Sequence, residues 1–331
     1  MPLRYRTAPD LIIRFQDGAL VVLDPIRDFE VTTEQPGPLI TLLAALGSWT
    51  TLADAEPLLD AEGLSTDTLD ELTDLGLLER EDQPRSSHWT ALDRLLHLEQ
   101  SQGAYNPGST TAAPSAFKRP APKEIALTRR ALPPVSLAQT LATRRSLRSC
   151  GPGELDLCAL ETLLDAGLSV QDVFSHPEMG TMSRRPTPSA GARHPIECYV
   201  LARRISNIRP GLYHYNALDH ALAPVCEFDD TANDVLDWAQ AALDPRTPSP
   251  PQALLLFTAV FERTFFKYKG TGYALICKDL GAIYQTLYLV ATALDLSICG
   301  LGGTYGPAFA NWIGTDPLTE DHIGSMILGK S

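Results

Sequence analysis

Arg144, Arg145, Ser146 and Arg148 fall within five residues at the expected end of a helix. Guanidinium forks grip a phosphate bidentately and a serine hydroxyl adds a neutral donor. The string therefore reads as an anion clamp, or more plainly as a solvated basic helix terminus. Lys267 and Tyr268 stand in Arg263-Thr264-Phe265-Phe266-Lys267-Tyr268-Lys269. A lysine among apolar and aromatic neighbours loses hydration, which moves its pKa toward that of a usable base, and an adjacent tyrosine can relay or donate a proton. An aromatic-basic surface turn is the plainer alternative. Pro188-Ser189-Ala190-Gly191-Ala192-Arg193-His194-Pro195 sets small residues between prolines, and Cys299-Gly300-Leu301-Gly302-Gly303 has three glycines in four residues. Both let main chain approach a flat ligand and offer N–H groups to ring heteroatoms. The glycine string follows a helical pattern, so it is not the dinucleotide fingerprint. No Lys-Ser/Thr follows it, so it is not a P-loop either. His194 by itself reads as a structural or surface histidine.

These residues need a scaffold, and from Ser136 onward the pattern is that of an α+β domain. Ser136 is placed to cap a helix through Thr143, and Leu155–Leu168 predicts a second helix. Glu197–Ala202 reads as a strand, and Gly211–Tyr215 with Ala221–Val225 as a hairpin. Asp230–Leu243 is an amphipathic helix with Val235, Leu236, Trp238 and Ala242 inward, followed by a loop at Pro245–Pro251. Ala253–Phe261 is a nearly unbroken apolar run, as a central strand requires. Gly272–Leu296 predicts a long, mostly apolar and therefore buried helix, and Ser297–Gly300 and Ser325–Leu328 predict short strands.

Ahead of this domain, residues 101–135 are rich in Gly, Ser, Ala and Pro and read as a linker. Residues 1–100 form a separate small domain. Asp17-Gly18 between two β-branched runs predicts a hairpin over 11–23. Helical patterns cover 38–46, 51–62, where Pro57 blurs the start, and 65–75, which Gly76 stops. A strand follows at Leu77–Arg80, and this order resembles a winged helix; Trp89–His97 has the spacing of a closing helix. The expected recognition helix holds Asp67, Asp70, Glu71 and Asp74 and no base, which argues against nucleic acid.

Charge sharpens the division. The chain has 27 Lys and Arg against 40 Asp and Glu, a net of −13. Residues 1–100 hold 19 acids, seven arginines and no lysine, so they alone carry −12. Such a segment can attract a basic peptide, or simply be a solvated acidic surface. Six cysteines lie far apart with no C-x-x-C, which speaks against a metal cluster or a disulfide framework. The sequence shows no apolar run near the ~20 residues of a membrane helix and no signal-peptide start, so the expectation is a cytoplasmic protein without a membrane partner.

Taken in order, the four strings, with Leu212-Tyr213-His214-Tyr215 in the hairpin and Gln285, Leu287, Tyr288, Leu289, Ala293 and Leu294 in the long helix, resemble one family. It is that of the SagB-type dehydrogenases, nitroreductase-like FMN-dependent azoline dehydrogenases of ribosomal peptide biosynthesis, and the resemblance covers about residues 136–331. It implies a nitroreductase-like FMN fold over 136–331, preceded by a small winged-helix-like peptide-handling domain at 1–100 and the linker at 101–135. It implies that Arg144, Arg145, Ser146 and Arg148 hold the FMN phosphate and ribityl chain. Pro188, Ser189, Ala190 and Gly191 would pass the isoalloxazine ring, and Gly300, Gly302 and Gly303 would form a second flavin loop. Lys267 and Tyr268 match the pair associated with azoline oxidation. A homodimer with FMN at its interface, a precursor-peptide substrate and a cyclodehydratase partner are also implied.

The chain departs from the family at Asp279-Leu280-Gly281-Ala282, where Glu/Asp-Ala-Gly-His is common, and at Gln285-Thr286 in place of Gln-Asn. The chemistry implied is removal of the Cα proton of a thiazoline or oxazoline by Lys267 or Tyr268, with hydride from Cβ passing to the flavin. An NAD(P)H-fed reductase of dehydroamino acids, nitro compounds or quinones on the same fold is the alternative. A non-enzymatic peptide-recognition subunit is the third reading.

Overall fold

In the computed structural model, β1 (Arg4–Thr7) leads into the first turn that the residues dictate. Asp17 (φ 51°) and Gly18 (φ 86°) are both left-handed, as a two-residue primed turn needs, and they join β2 (Ile12–Gln16) to β3 (Ala19–Asp24). A third strand not anticipated from the sequence, β4 (Phe29–Thr33), pairs with β3. Then come α1 (Pro36–Ala45), β5 (Thr50–Thr51), α2 (Leu52–Ala61), α3 (Asp67–Asp74) and β6 (Leu78–Arg80). The Thr51 side chain caps α2 by accepting the Asp54 N–H, and Pro57 lies on the exposed side of that helix. β1 pairs antiparallel with β5 and β6, and Leu20, Val22, Leu42, Leu59, Leu69 and Leu78 form one core. This is the unit Met1–Gln102; the second unit is Gly103–Ser331. The structure describes residues 3–9, 11–24, 29–33, 36–83, 92–93, 95–97, 104–105, 113–177, 179–241 and 250–331. The start of the helix expected at Trp89–His97, most of the stretch 101–112 and most of the loop at Pro245–Pro251 lie outside them.

The second unit runs β7 (Ala104–Tyr105), β8 (Ile125–Ala126), α4 (Leu137–Thr143), α5 (Leu157–Leu168), β9 (Asp172–His176), β10 (Gly180–Arg184), β11 (Ile196–Ala202), β12 (Gly211–Asn216) and β13 (Ala221–Glu227). It continues with α6 (Asp230–Ala241), β14 (Ala253–Val260), α7 (Glu262–Phe265), β15 (Tyr268–Lys269), α8 (Gly272–Ala293), β16 (Leu296–Leu301), α9 (Pro307–Ile313) and β17 (Glu320–Lys330). One antiparallel sheet has the order β16-β17-β14-β11-β12-β13-β8. The apolar run of β14 is explained by burial on both faces. Ala253, Leu255 and Phe257 join the core beneath α5 and α8, while Leu254 and Leu256 join the core beneath α6 and α9. Burying each such large side chain is worth about 1.5–3 kcal/mol.

Four features of the second unit differ from the sequence expectation. Residues 113–135 are bound into the second unit rather than linking two. Lys118 donates to Tyr199 Oη and Glu320 Oε1, and β8 pairs with β13 at the sheet edge. The strand expected at Ser325–Leu328 is the 11-residue β17. Its polar start is buried because Glu320 accepts from Lys118, Thr258 and Tyr199 and His322 Nδ1 accepts the Tyr305 N–H. The long helix α8 stops at Ala293, and Asp295 (φ 53°) turns the chain directly into β16. By length and composition α8 could cross a membrane, but Ile276, Ile283, Leu287, Val290 and Ala291 bury only one stripe of it, against the domain core. Tyr273, Cys277, Lys278, Gly281 and Gln285 are exposed. Finally, the β9–β10 hairpin and α9 had no sequence counterpart.

Candidate active site

The arginine string begins where α4 ends. Ser136 accepts the Gln139 N–H and starts the helix; Arg144, with extended backbone, ends it. The chain then runs beside β16, with the Leu147 N–H bonded to Ile298 O. One phenol gathers this segment and the glycine strand. The Arg144 guanidinium lies 5.1 Å from the Tyr288 ring centroid, as a cation–π pair. The Ser146 hydroxyl donates to Tyr288 Oη at 3.2 Å, and the Gly300 N–H donates to the same oxygen at 2.7 Å. A Cβ at Gly300 would stand 3.0 Å from the Tyr284 ring, so glycine lets β16 pass close to these two tyrosines. Arg145 turns back to Ala142 O and Arg144 O, satisfying carbonyls of its own helix end, and is exposed, as is Arg148. Gly302 and Gly303 follow the strand as exposed main chain.

The Pro-Ser-Ala-Gly loop is built on the other shoulder of α8. Asp279 accepts from Ser189 Oγ at 2.5 Å and from the Ala190 N–H at 3.2 Å. Burial raises the Asp279 pKa and these two donors oppose the rise. Ser189 Oγ also accepts the His194 N–H. Gly191 (φ 59°), Ala192 (φ 50°) and His194 (φ 44°) are all left-handed, which coils the loop into a tight turn. Gly191 lies against Tyr268, where an added Cβ would come 2.8 Å from the phenol oxygen.

Two buried arginines hold that contact. Arg193 donates from Nε to Arg263 O at 3.1 Å and from its terminal nitrogens to Met179 O and Pro114 O. Its guanidinium lies 4.9 Å from the Phe266 ring centroid. Arg263 donates in return to His194 O at 3.2 Å, to Ser115 O, and to Glu197 Oε1 at 2.6 Å. Each arginine starts on one segment and ends on the other, so the loop and the Lys267-Tyr268 turn are fixed as a unit. Burial opposes ionisation of Glu197, but Arg263 and His214 hold it well below the ordinary carboxylate range. Lys267 is buried, and Tyr268 is half-buried in β15, which pairs with β7.

The single chain thus brings Tyr268 to Gly191, and Arg144 and Ser146 to Gly300. Among the described residues no hydrogen bond or ring contact joins those two groups to each other. Asp279 and Tyr288 are nine residues apart on α8, hence about 14 Å along the axis and half a turn around it. Sequence reasoning gave no role to Asp279, Tyr288, Arg193, Arg263 or Glu197. Asp279 and Tyr288 stood in the quoted helix, but only long-range pairing shows what they bind. Nothing local distinguishes a buried arginine from a surface one. Among the described residues no group of three or more His, Cys, Asp or Glu could hold a metal.

An antiparallel sheet covered by helices on both faces, with a long core helix separating two main-chain cradles, defines the class. The chain belongs to the nitroreductase family, which it matches over residues 141–330. It is 31% identical over 182 residues to the trifolitoxin-processing protein TfxB of Rhizobium leguminosarum bv. trifolii, covering 54% of this chain and 48% of that one. It is 32% identical over 151 residues to the microcin B17-processing protein McbC of Escherichia coli, covering 44% and 52% respectively. The chain therefore spans about half the length of these relatives. A structure described as a nitroreductase, from Anabaena variabilis, superposes with a TM-score of 0.50 at 24% identity, over 71% of this chain and 46% of that one, a likeness of fold.

Proposed function

We propose that the protein is an FMN-dependent dehydrogenase that oxidises thiazolines or oxazolines of a ribosomally made peptide to the aromatic azoles. The observation carrying this reading is the packing of Tyr268 on Gly191, fixed by the Arg193–Arg263 cross-brace. Tyr268 packs on the loop that would pass the flavin ring, and Lys267 precedes it in the chain, which supports the pair as the proton-handling groups. The similarity to two peptide-processing proteins supports a peptide as the substrate.

The residues suit FMN. Gly191 and Gly300 carry no side chain, so main chain can come close to a flat ligand at either. Arg144, Arg148 and Ser146 supply donors for a phosphate, with Arg145 joining once its guanidinium leaves the helix carbonyls. Pro188, Ser189, Ala190 and Gly191 would lie along the ring, with Gly302 and Gly303 as the second loop. Bound FMN supplies the two-electron acceptor that the side chains lack. The chain's own part is placement and proton transfer. Lys267 or Tyr268 takes the Cα proton of the ring while the Cβ–H bond gives up a hydride, and the loss of both forms the new double bond. Asp279 keeps the loop in shape through Ser189 and Ala190.

The two half-sites flank α8 on opposite shoulders, which supports a homodimer in which the arginine string of one subunit meets the Pro-Ser-Ala-Gly loop and Lys267 of the other. The acidic unit, residues 1–100 with net charge −12, is read as a winged-helix-like module that holds a basic part of the precursor peptide beside a cyclodehydratase partner. Lys267→Ala should abolish azoline oxidation while the protein stays yellow with FMN; unchanged turnover would remove Lys267 from the mechanism. Bleaching of the flavin by NADPH without peptide, followed by stopped flow, would favour the reductase instead.

A further inference from the structure

The loop of residues 302–306, between β16 and α9, carries the second pair of glycines read as a flavin contact. Gly302, Gly303 and Thr304 are exposed, and among the described residues their N–H groups have no partner within the chain. The next N–H, that of Tyr305, donates to Nδ1 of His322 on β17 at 2.8 Å. A main-chain N–H can only donate, so Nδ1 is the bare nitrogen and the imidazole proton sits on Nε2, 2.8 Å from Ser325 Oγ. Packing holds the ring in that orientation. His322 is 3% exposed, with the Phe309 ring 5.2 Å and the Trp238 ring 6.0 Å away between centroids. Ser325 is fully buried, and its carbonyl accepts the hydroxyl of Tyr284, whose ring stands beside Gly300. Trp238 also meets the Tyr305 ring edge-on at 5.7 Å, and a Cβ on Gly303 would stand 3.6 Å from its indole, so the loop rests on this side chain. The indole supports the loop without direction. His322 supplies the first directed anchor after the strand.

We propose that His322 is a positioning residue for the flavin. Without touching the cofactor, it holds residues 302–306 where the N–H groups of Gly302, Gly303 and Thr304 can meet a flat ring system. The inference rests on the reading of Gly302 and Gly303 as the second flavin loop, and it adds the group that sets that loop's place. A binding loop keeps its geometry only when the side chain beneath it is itself held, and Ser325, Phe309 and Trp238 hold this one.

The test compares two variants that lose the same ring packing and differ in one acceptor. In His322→Asn the amide oxygen takes the place of Nδ1. In His322→Gln the amide lies at the Nε2 end, and the Tyr305 N–H is left without an acceptor. Flavin release from the FMN-loaded proteins is followed by fluorescence after dilution, and thermal unfolding of the same samples reports the packing. Both variants should melt below wild type by similar amounts. His322→Gln should release FMN about tenfold faster than wild type, as loss of one hydrogen bond does, while His322→Asn should stay within about twofold. Ser325→Ala keeps the ring but removes the acceptor that orients it; it should speed release several-fold, and it serves if the glutamine variant does not fold. Equal release rates in the asparagine and glutamine variants, or release from His322→Gln or Ser325→Ala as slow as from wild type, overturn the proposal and leave the flavin reading standing. A wild-type protein that takes up no FMN overturns both.

Discussion

Gly191 combines a left-handed backbone with the closest approach to the Tyr268 hydroxyl. Gly191→Ala should cost about 1–2 kcal/mol in backbone strain alone and, by pushing the phenol away, reduce both bound flavin and turnover. Absorbance per chain and an activity assay read the two effects separately. Glu197→Gln leaves Arg263 buried with a weakened partner and should lower stability by about 3–5 kcal/mol, measured by denaturant unfolding. His194 makes a pH signature. Burial, with Arg185 nearby, pulls its pKa from 6.5 to about 3. The unfolded chain then binds a proton that the folded chain refuses, so stability falls as pH drops from 6.5 toward 3. The slope approaches about 1.4 kcal/mol per pH unit for a fully buried group. His322, pulled down to about 4 by burial, adds the same sign. Glu197 contributes only below the ordinary carboxylate pKa. His194→Gln should therefore flatten the stability curve between pH 6.5 and 5, seen by urea unfolding across that range.

At the scale of elements, α8 is the positioning device. Tyr288→Phe removes the one oxygen that joins Ser146 to Gly300 while sparing the ring beneath Arg144. It should weaken FMN binding several-fold with less effect on melting temperature, measurable by fluorescence titration. Elements of both units were legible in the sequence where local rules fix them: the cap at Ser136, the doubly buried run of β14, the primed turn at Asp17-Gly18. The site's assembly was less so. Asp279, Arg193 and Arg263 act across 60 to 90 residues of chain, and no periodicity reports such pairing. Residues 113–135 read as a linker because proline and small residues dominate them. Their place in the second unit is set by carbonyls that stop two buried guanidiniums. The polar start of β17 escaped notice for a related reason, since Glu320 and His322 are buried only by virtue of partners far away in sequence.

For the whole molecule, the proposed sharing of the site between subunits makes a quantitative prediction. Arg144→Ala and Lys267→Ala homodimers should each be inactive. After subunit exchange half the dimers are mixed, and each of those has one site with both groups intact, so about a quarter of wild-type activity should return. No recovery after verified exchange would place both groups in one chain's site. The strand order has another consequence, for biosynthesis. β17 fills the gap between β14 and β16, although β14 emerges from the ribosome some 60 residues earlier. The first unit has all the strands of its sheets by Arg80 and can fold while translation continues, but the second must wait with the apolar margin of β14 uncovered. That nascent margin is where a chaperone would be needed, and where slowed translation or truncation would lead to aggregation.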